Sequence, residues 1–214
     1  MRRIFLSVVI FLMLVGCASK PSVFLEPSTQ VEGRSTDALA ADWWKWALAD
    51  PTANNPLKDM TGARCSNGQQ GSVWFLAGGV GSSKINRRCV IPAGKYVFFP
   101  MINASYLPDG KHADYTCEAA RATASIADSD VHGLFAELDG VAVTDPLHYK
   151  VPPKDCFDAY ERMPSASHIY AGYPAASDGY WILLAPLQKG IHTIKFGGQY
   201  GETTQDVEYE IFVQ

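Results

Sequence analysis

Leu134-Phe135-Ala136-Glu137-Leu138-Asp139-Gly140-Val141-Ala142-Val143 is the stretch whose reading decides the fold. Apolar residues flank an Asp-Gly pair, and a two-residue type I′ turn needs positive φ at both central positions, which Asp-Gly accepts at little steric cost. The stretch therefore predicts a β-hairpin, with strands over 134–138 and 141–143. On both sides of it, short β-like runs recur between Gly, Pro, Asn and Asp, over 73–77, 88–91, 96–101, 147–151, 180–185, 192–196 and 207–213. Such spacing is the signature of a sandwich or barrel. In the last run Val207, Tyr209, Ile211 and Val213 share one face, and Glu208, Glu210 and Phe212 share the other. With Gly190 opening the run before it, this reads as a closing hairpin with one buried face. His192 alternates with Ile194 and Phe196, so it is expected to point with them toward the core, hydrogen-bonded; a place in a functional pocket is the other reading.

Two helices are predicted. The first runs over 35–49, with Ser35 or Thr36 as N-cap and Pro51 just beyond its end. Leu39, Trp43, Trp46 and Ala47 fall at helical spacing, and Trp44 and Leu48 widen the stripe. The indoles fit either burial against a sheet or an aromatic platform for a ligand or a membrane interface. The second helix, over 117–128, is rich in Ala and Glu. The expected class is mainly β: an antiparallel β-sandwich, jelly-roll or immunoglobulin-like, with one or two packed helices and a single domain over 35–214.

Composition permits this. Of 214 residues 47% are hydrophobic and 12% aromatic, ordinary for one packed globule. The formal net charge is −4. No basic cluster accompanies it, which argues against nucleic acid as a partner.

The N-terminus carries an address. Arg2 and Arg3 precede an apolar run from Ile4 to Val15, well short of the roughly twenty residues that cross a bilayer as a helix. Residues 1–16 therefore read as an export signal to be removed. Losing Arg2 and Arg3 lowers the Lys and Arg count from 18 to 16 against 22 acids, a balance of −6. Leu14-Val15-Gly16-Cys17 resembles the lipobox of bacterial lipoproteins. The resemblance implies that the Cys17 thiol receives a diacylglyceryl group, that the bond before it is cut and that the new amine is acylated. Cys17 as a plain small residue of an ordinary signal is the competing reading. Two or three acyl chains hold a protein on a membrane stably, where one does so marginally. In lipoproteins of two-membrane bacteria an aspartate after the lipidated cysteine favours the inner membrane. Ala18 stands there, so the resemblance implies the inner leaflet of the outer membrane with the domain facing the periplasm. Residues 17–34 read as the lipidated tether, although Val23, Phe24 and Leu25 offer a way to dock on the domain.

Cys65, Cys89, Cys117 and Cys156 remain, an even number in a compartment that permits oxidation. Two disulfides are the economical reading. Of three pairings, Cys65 with Cys89 and Cys117 with Cys156 is favoured; each bridge closes a moderate loop and contributes on the order of 3 kcal/mol. Zinc is the competing use, but no pair has the close C-x-x-C spacing of structural sites.

Several blocks carry a further resemblance: Trp43-Trp44-Lys45-Trp46-Ala47; Cys65-Ser66-Asn67-Gly68-Gln69-Gln70-Gly71-Ser72-Val73-Trp74-Phe75-Leu76-Ala77-Gly78; Cys89-Val90-Ile91-Pro92-Ala93-Gly94-Lys95 running into Phe98-Phe99-Pro100; and 187–198. In these the chain resembles a family of uncharacterised exported bacterial proteins and lipoproteins. The resemblance implies an exported domain in which Cys65 and Cys89 belong together. It implies no reaction.

Motifs of known chemistry are missing. There is no G-x-S-x-G elbow, H-E-x-x-H, Walker A loop or dinucleotide fingerprint. His112, His132, His148, His168 and His192 are scattered, and the close pair of His112 with Asp114 reads as a solvated loop. Asp128-Ser129-Asp130 and Asp109-Gly110 look like calcium loops but lack the further ligands of an EF-hand, so helix-end and turn roles fit better. No catalytic set, metal or cofactor is assigned. The long segment from Tyr160 to Tyr180 holds four tyrosines among Pro, Ser, Ala and Gly, and such loops are often functional. Tyr170, Tyr173, Tyr180 and Trp44 are the candidate binding residues, with core packing as the alternative use of the tyrosines. Two functions are weighed. One is a non-catalytic binding or structural module of the cell envelope, facing a protein or a glycan. The other is a hydrolase of envelope polymers using Asp109, Asp114 or Glu118, which would need carboxyl groups roughly 5 to 10 Å apart.

Overall fold

The computed structural model of the protein describes residues 22–111 and 114–214. The expected export signal, Cys17 and His112 lie outside the described residues. Among the described residues ten strands form: β1 Phe24–Leu25, β2 Val73–Phe75, β3 Ser83–Ile91, β4 Tyr96–Tyr106, β5 Val131–Leu138, β6 Val141–Ala142, β7 Lys150–Val151, β8 Ala176–Leu184, β9 Gly190–Tyr200 and β10 Thr203–Val213. Two helices accompany them, α1 Thr36–Ala47 and α2 Cys117–Ala124. One sheet has the order β1-β8-β4-β2, with β7 also on β8; the other runs β3-β10-β9-β5-β6. The chain is mainly β and sandwich-like, with packed helices. Each sheet is mixed, because β2 lies parallel to β4 and β3 parallel to β10.

The Asp-Gly turn forms with φ of 52° at Asp139 and 82° at Gly140, and it pairs Leu138 with Val141. Along β10 the alternation holds, with Val207, Tyr209, Ile211 and Val213 buried and Glu208 and Phe212 exposed. These inward residues meet β4 and β8 of the facing sheet, where the Phe99 and Phe196 rings lie 4.4 Å apart. The opposite face of β4 and β8 is buried too. Phe98, Trp181 and Leu183 project from it against Leu39, Trp43 and Trp46 of α1. Trp181 stacks on Phe98 at 5.1 Å and meets Trp43 edge-on at 5.5 Å. Three layers result: sheet, sheet, helix. Burial of the helix's indoles is therefore their main use, and their N–H groups are satisfied. Trp43 donates to the Leu76 carbonyl, Trp44 to Ser177 Oγ and Trp46 to the Asn67 carbonyl, each at 2.8 Å.

Three expectations are corrected. The run over 147–151 begins as a 3-10 turn, Pro146–Tyr149, so only Lys150–Val151 reach β8. Pro146 has the fixed φ and missing N–H that suit a helical first turn and cannot serve a ladder. The second helix stops at Ala124 rather than continuing to Asp128. Its exit is drawn out by Asp178, whose Oδ2 accepts from the Ile126 N–H at 2.7 Å while Ile126 is buried. Part of the expected tether belongs to the sheet, since Phe24 is buried and pairs with Leu184.

The disulfides Cys65–Cys89 and Cys117–Cys156 form as favoured. His192 is mostly buried, with Nδ1 2.7 Å from Asp139 Oδ2 and Nε2 2.9 Å from the Gln188 carbonyl. Burial alone would lower its pKa; the hydrogen bonds its ring donates to Asp139 and to the Gln188 carbonyl, with the Asp139 charge, outweigh burial and raise it. A raised histidine stabilises the fold fully below its unfolded pKa of about 6.5 and loses that contribution as pH climbs through the folded value. The stability gap between the native chain and His192→Gln, measured by urea unfolding, is therefore expected to be widest in mild acid and to narrow above neutrality.

Candidate functional site

Two surface features gather at the end of the sandwich where β2, β4 and β9 finish. The first is a cleft of about 380 Å³ between α1, the Gly79–Gly81 bend and the turn joining β9 to β10. Trp44, Leu57, Val80 and Ile102 give it an apolar wall, and Asn103 and Gln205 bring carboxamides. Its size is that of small-ligand sites. No carboxylate, histidine, lysine or cysteine lines it. Asn103 Nδ2 lies in its wall, buried and without a hydrogen-bond partner. Gln205 is held: its Oε1 accepts from the Gly79 N–H at 3.2 Å and so fixes the bend that carries Val80, 76% exposed.

The second feature is the tyrosine loop. Its base is braced by the Cys117–Cys156 bridge, the Phe157 to Ala175 backbone pairing and a Tyr160 hydroxyl that donates to the Pro108 carbonyl at 3.1 Å. Gly110 has φ of 75°, and the Tyr170 ring lies where a β-carbon there would stand, 2.2 Å away, so only glycine lets the ring settle. The tip presents Ile169, Tyr170 and Tyr173 to solvent. Trp44 joins the two features, because it also packs with Leu48, Leu107 and Tyr160 against Phe157 and Ala175.

Tyr170, Tyr173 and Trp44 thus fall in one region, while Tyr180 does not. Tyr180 is fully buried on β8, where its hydroxyl donates to Asp128 Oδ1 at 2.6 Å. Burial first, then that hydrogen bond, pushes its pKa far up, so it stays neutral. Lys150 Nζ sits 2.7 Å from Asp128 and 3.8 Å from Asp178. Hydrogen bonds from Lys150 and Tyr180 lower Asp128, whereas burial raises Asp178. This cluster ties α2 and the Asp128–Asp130 turn to β8. Asp128–Asp130 forms a separate 3-10 turn between α2 and β5.

Asp109 and Asp114 both act on the Tyr106 hydroxyl, whose pKa burial raises first and their charges raise further. Glu118 lines a separate shallow depression with Arg121. Among the described residues no three His, Cys, Asp or Glu side chains are placed to hold a metal ion. Sequence reasoning missed the cleft because its wall comes from five separate segments. The one available signal was Gly78-Gly79-Val80-Gly81, a glycine bend carrying an apolar side chain. Comparisons with protein-family models, with curated proteins and with solved structures found no match.

Proposed function

We propose that this is an outer-membrane-anchored lipoprotein, facing the periplasm, that acts as a non-catalytic binding module of the cell envelope. The observation that carries the binding role is the neutral cleft at Trp44, where aromatic and apolar surface meets the Asn103 and Gln205 carboxamides and the hydroxyl-bearing Tyr200 and Thr203, with no carboxylate, histidine, lysine or cysteine in its wall. Such a wall suits an uncharged partner, a glycan or an apolar protein segment, by stacking and amide hydrogen bonds. The anchor rests on the lipobox resemblance at Cys17, and the exported family resemblance supports the same address. No helix among the described residues is long and apolar enough to cross a membrane.

The module has a direction. Ser22 enters beside β1, whose neighbour Val23 accepts from the Ala185 N–H at the end of β8. The cleft lies toward the other end of the strands, since Tyr200 in its wall ends the β9 strand that starts at Gly190 on the tether side, and Ile102 and Asn103 stand opposite Tyr180 and Gly179, beyond the Leu184 that β1 pairs with. Tethering at one end thus leaves the cleft and the tyrosine tip pointing away from the membrane.

Two measurements test this. Cys17→Ser is expected to release the protein from the membrane fraction and to remove the mass of the acyl chains; unchanged anchoring would end the lipoprotein reading. A photocrosslinking residue at Val80 in intact cells is expected to trap an envelope component, and Trp44→Ala to reduce that yield at least about tenfold, the scale of losing a stacked aromatic contact. Yield unaffected by Trp44→Ala would remove the cleft from the mechanism.

A further inference from the structure

We infer that the end of the domain where the tether enters is itself a lipid-contacting surface, with Ile191, Phe212 and Val90 seated in the interface of the bilayer that holds the anchor. The inference rests on the anchored reading above and deepens it. On the outer face of the second sheet, Phe212 pairs with Ile191 of β9 and with Val90 of β3, so the three side chains form one row across three neighbouring strands. They are 36%, 67% and 46% exposed. This is an apolar rim at one end of a face that carries mainly polar and charged side chains.

The next row inward on that face is Thr193, Glu210 and Arg88, with Arg88 Nε 3.0 Å from Glu210 Oε1. Same-face residues on a strand are about 7 Å apart. Charge therefore begins one repeat above the rim, which limits insertion to about the 5–10 Å depth of an interfacial contact. A surface built for another protein's core would not need that boundary.

The occupant follows from where the chain goes. β1 runs antiparallel to β8, so Ser22 leaves the domain at this end, next to the segment that joins β8 to β9 and ends in Ile191. Five residue steps separate Ser22 from Cys17, a reach of at most about 18 Å. An acylated Cys17 thus holds this end, and no other, within contact of the headgroups. Lys189 is exposed beside Ile191 and suits anionic headgroups. Asp139, the neighbouring acid, is engaged by His192 and by the Thr193 N–H at 2.8 Å.

The test uses the full acylated chain in vesicles of phosphatidylethanolamine and phosphatidylglycerol. A photoreactive phenylalanine derivative is placed at Ile191, at Phe212 or, as the far-end control, at Ile169, which is 81% exposed. Irradiation is expected to add the mass of one phospholipid at 191 and 212, at a yield at least about tenfold above that at 169. Crosslinks from 191 to a second copy, to residues 4–15 of an uncleaved chain, or equal yields at all three positions would overturn the inference. The anchor is scored separately, by the acyl mass on Cys17 and its loss in Cys17→Ser. An acylated protein without adducts at 191 and 212 refutes this surface alone, and a chain lacking acyl mass refutes the reading beneath it.

Discussion

Trp181→Ala is expected to destabilise the domain by about 3–5 kcal/mol, the range for deleting a large aromatic from a packed core. The indole is 1% exposed, stacked on Phe98 and met edge-on by Trp43. Its removal leaves a void that α1 on one side and the sheet on the other must both collapse to fill. For a domain of this size the midpoint of thermal unfolding should fall on the order of 10 °C. Trp181→Phe gives a sharper comparison. The Trp181 Nε1 has no hydrogen-bond partner, so phenylalanine forfeits only area, and a loss of about 1–2 kcal/mol is expected. Equal losses in the two variants, measured by urea unfolding, would show that the indole does not bind helix to sheet.

Arg87→Met should be comparably severe, at about 3–5 kcal/mol, for a different reason. Arg87 is 3% exposed, and its guanidinium donates to the carbonyls of Asp59 at 2.7 Å, Ala77 at 2.6 Å and Gly78 at 3.0 Å, with the Tyr209 hydroxyl also at 3.0 Å. The ring of Tyr209 lies 5.5 Å from its centre. Burial raises the Tyr209 pKa while Arg87 works against the rise, so the phenol stays neutral and bonds the Ala77 carbonyl. Methionine keeps most of the volume and strands the Asp59 and Gly78 carbonyls away from water. The expected result is a large stability loss, together with faster proteolysis in 50–72, the segment these bonds hold down. A variant as stable as the native chain would mean that water replaces the guanidinium.

What was legible in the chain follows from how local each signal is. Asp139-Gly140, the β10 alternation and the Leu39, Trp43, Trp46 spacing act through neighbours in sequence, and each produced the expected element. The continuous run Val97-Phe98-Phe99-Pro100-Met101, inside the strand expected over 96–101, lacks alternation, which is the mark of burial on both faces. The helix covers one of those faces. Arg87 stands between Ile85 and Cys89 at inward positions of β3, and a strand pattern alone does not say that a charged side chain there collects distant carbonyls. Tyr180 illustrates the converse. Its setting among loop tyrosines pointed outward, but the buried run it opens, Tyr180-Trp181-Ile182-Leu183-Leu184, carries it inside. Trp44 belongs to the same helix face as its buried neighbours and only the third dimension sets it at a cleft.

The parallel pairing of β3 with β10 has a consequence for time. Ile85 cannot take its place until Val207 exists to receive it, and by then everything between them has been synthesised. Closing so long a loop is entropically costly and slow. A chain made from its N-terminus thus keeps that ladder unmade, and its early strand open to helpers or proteases, until the late strand arrives.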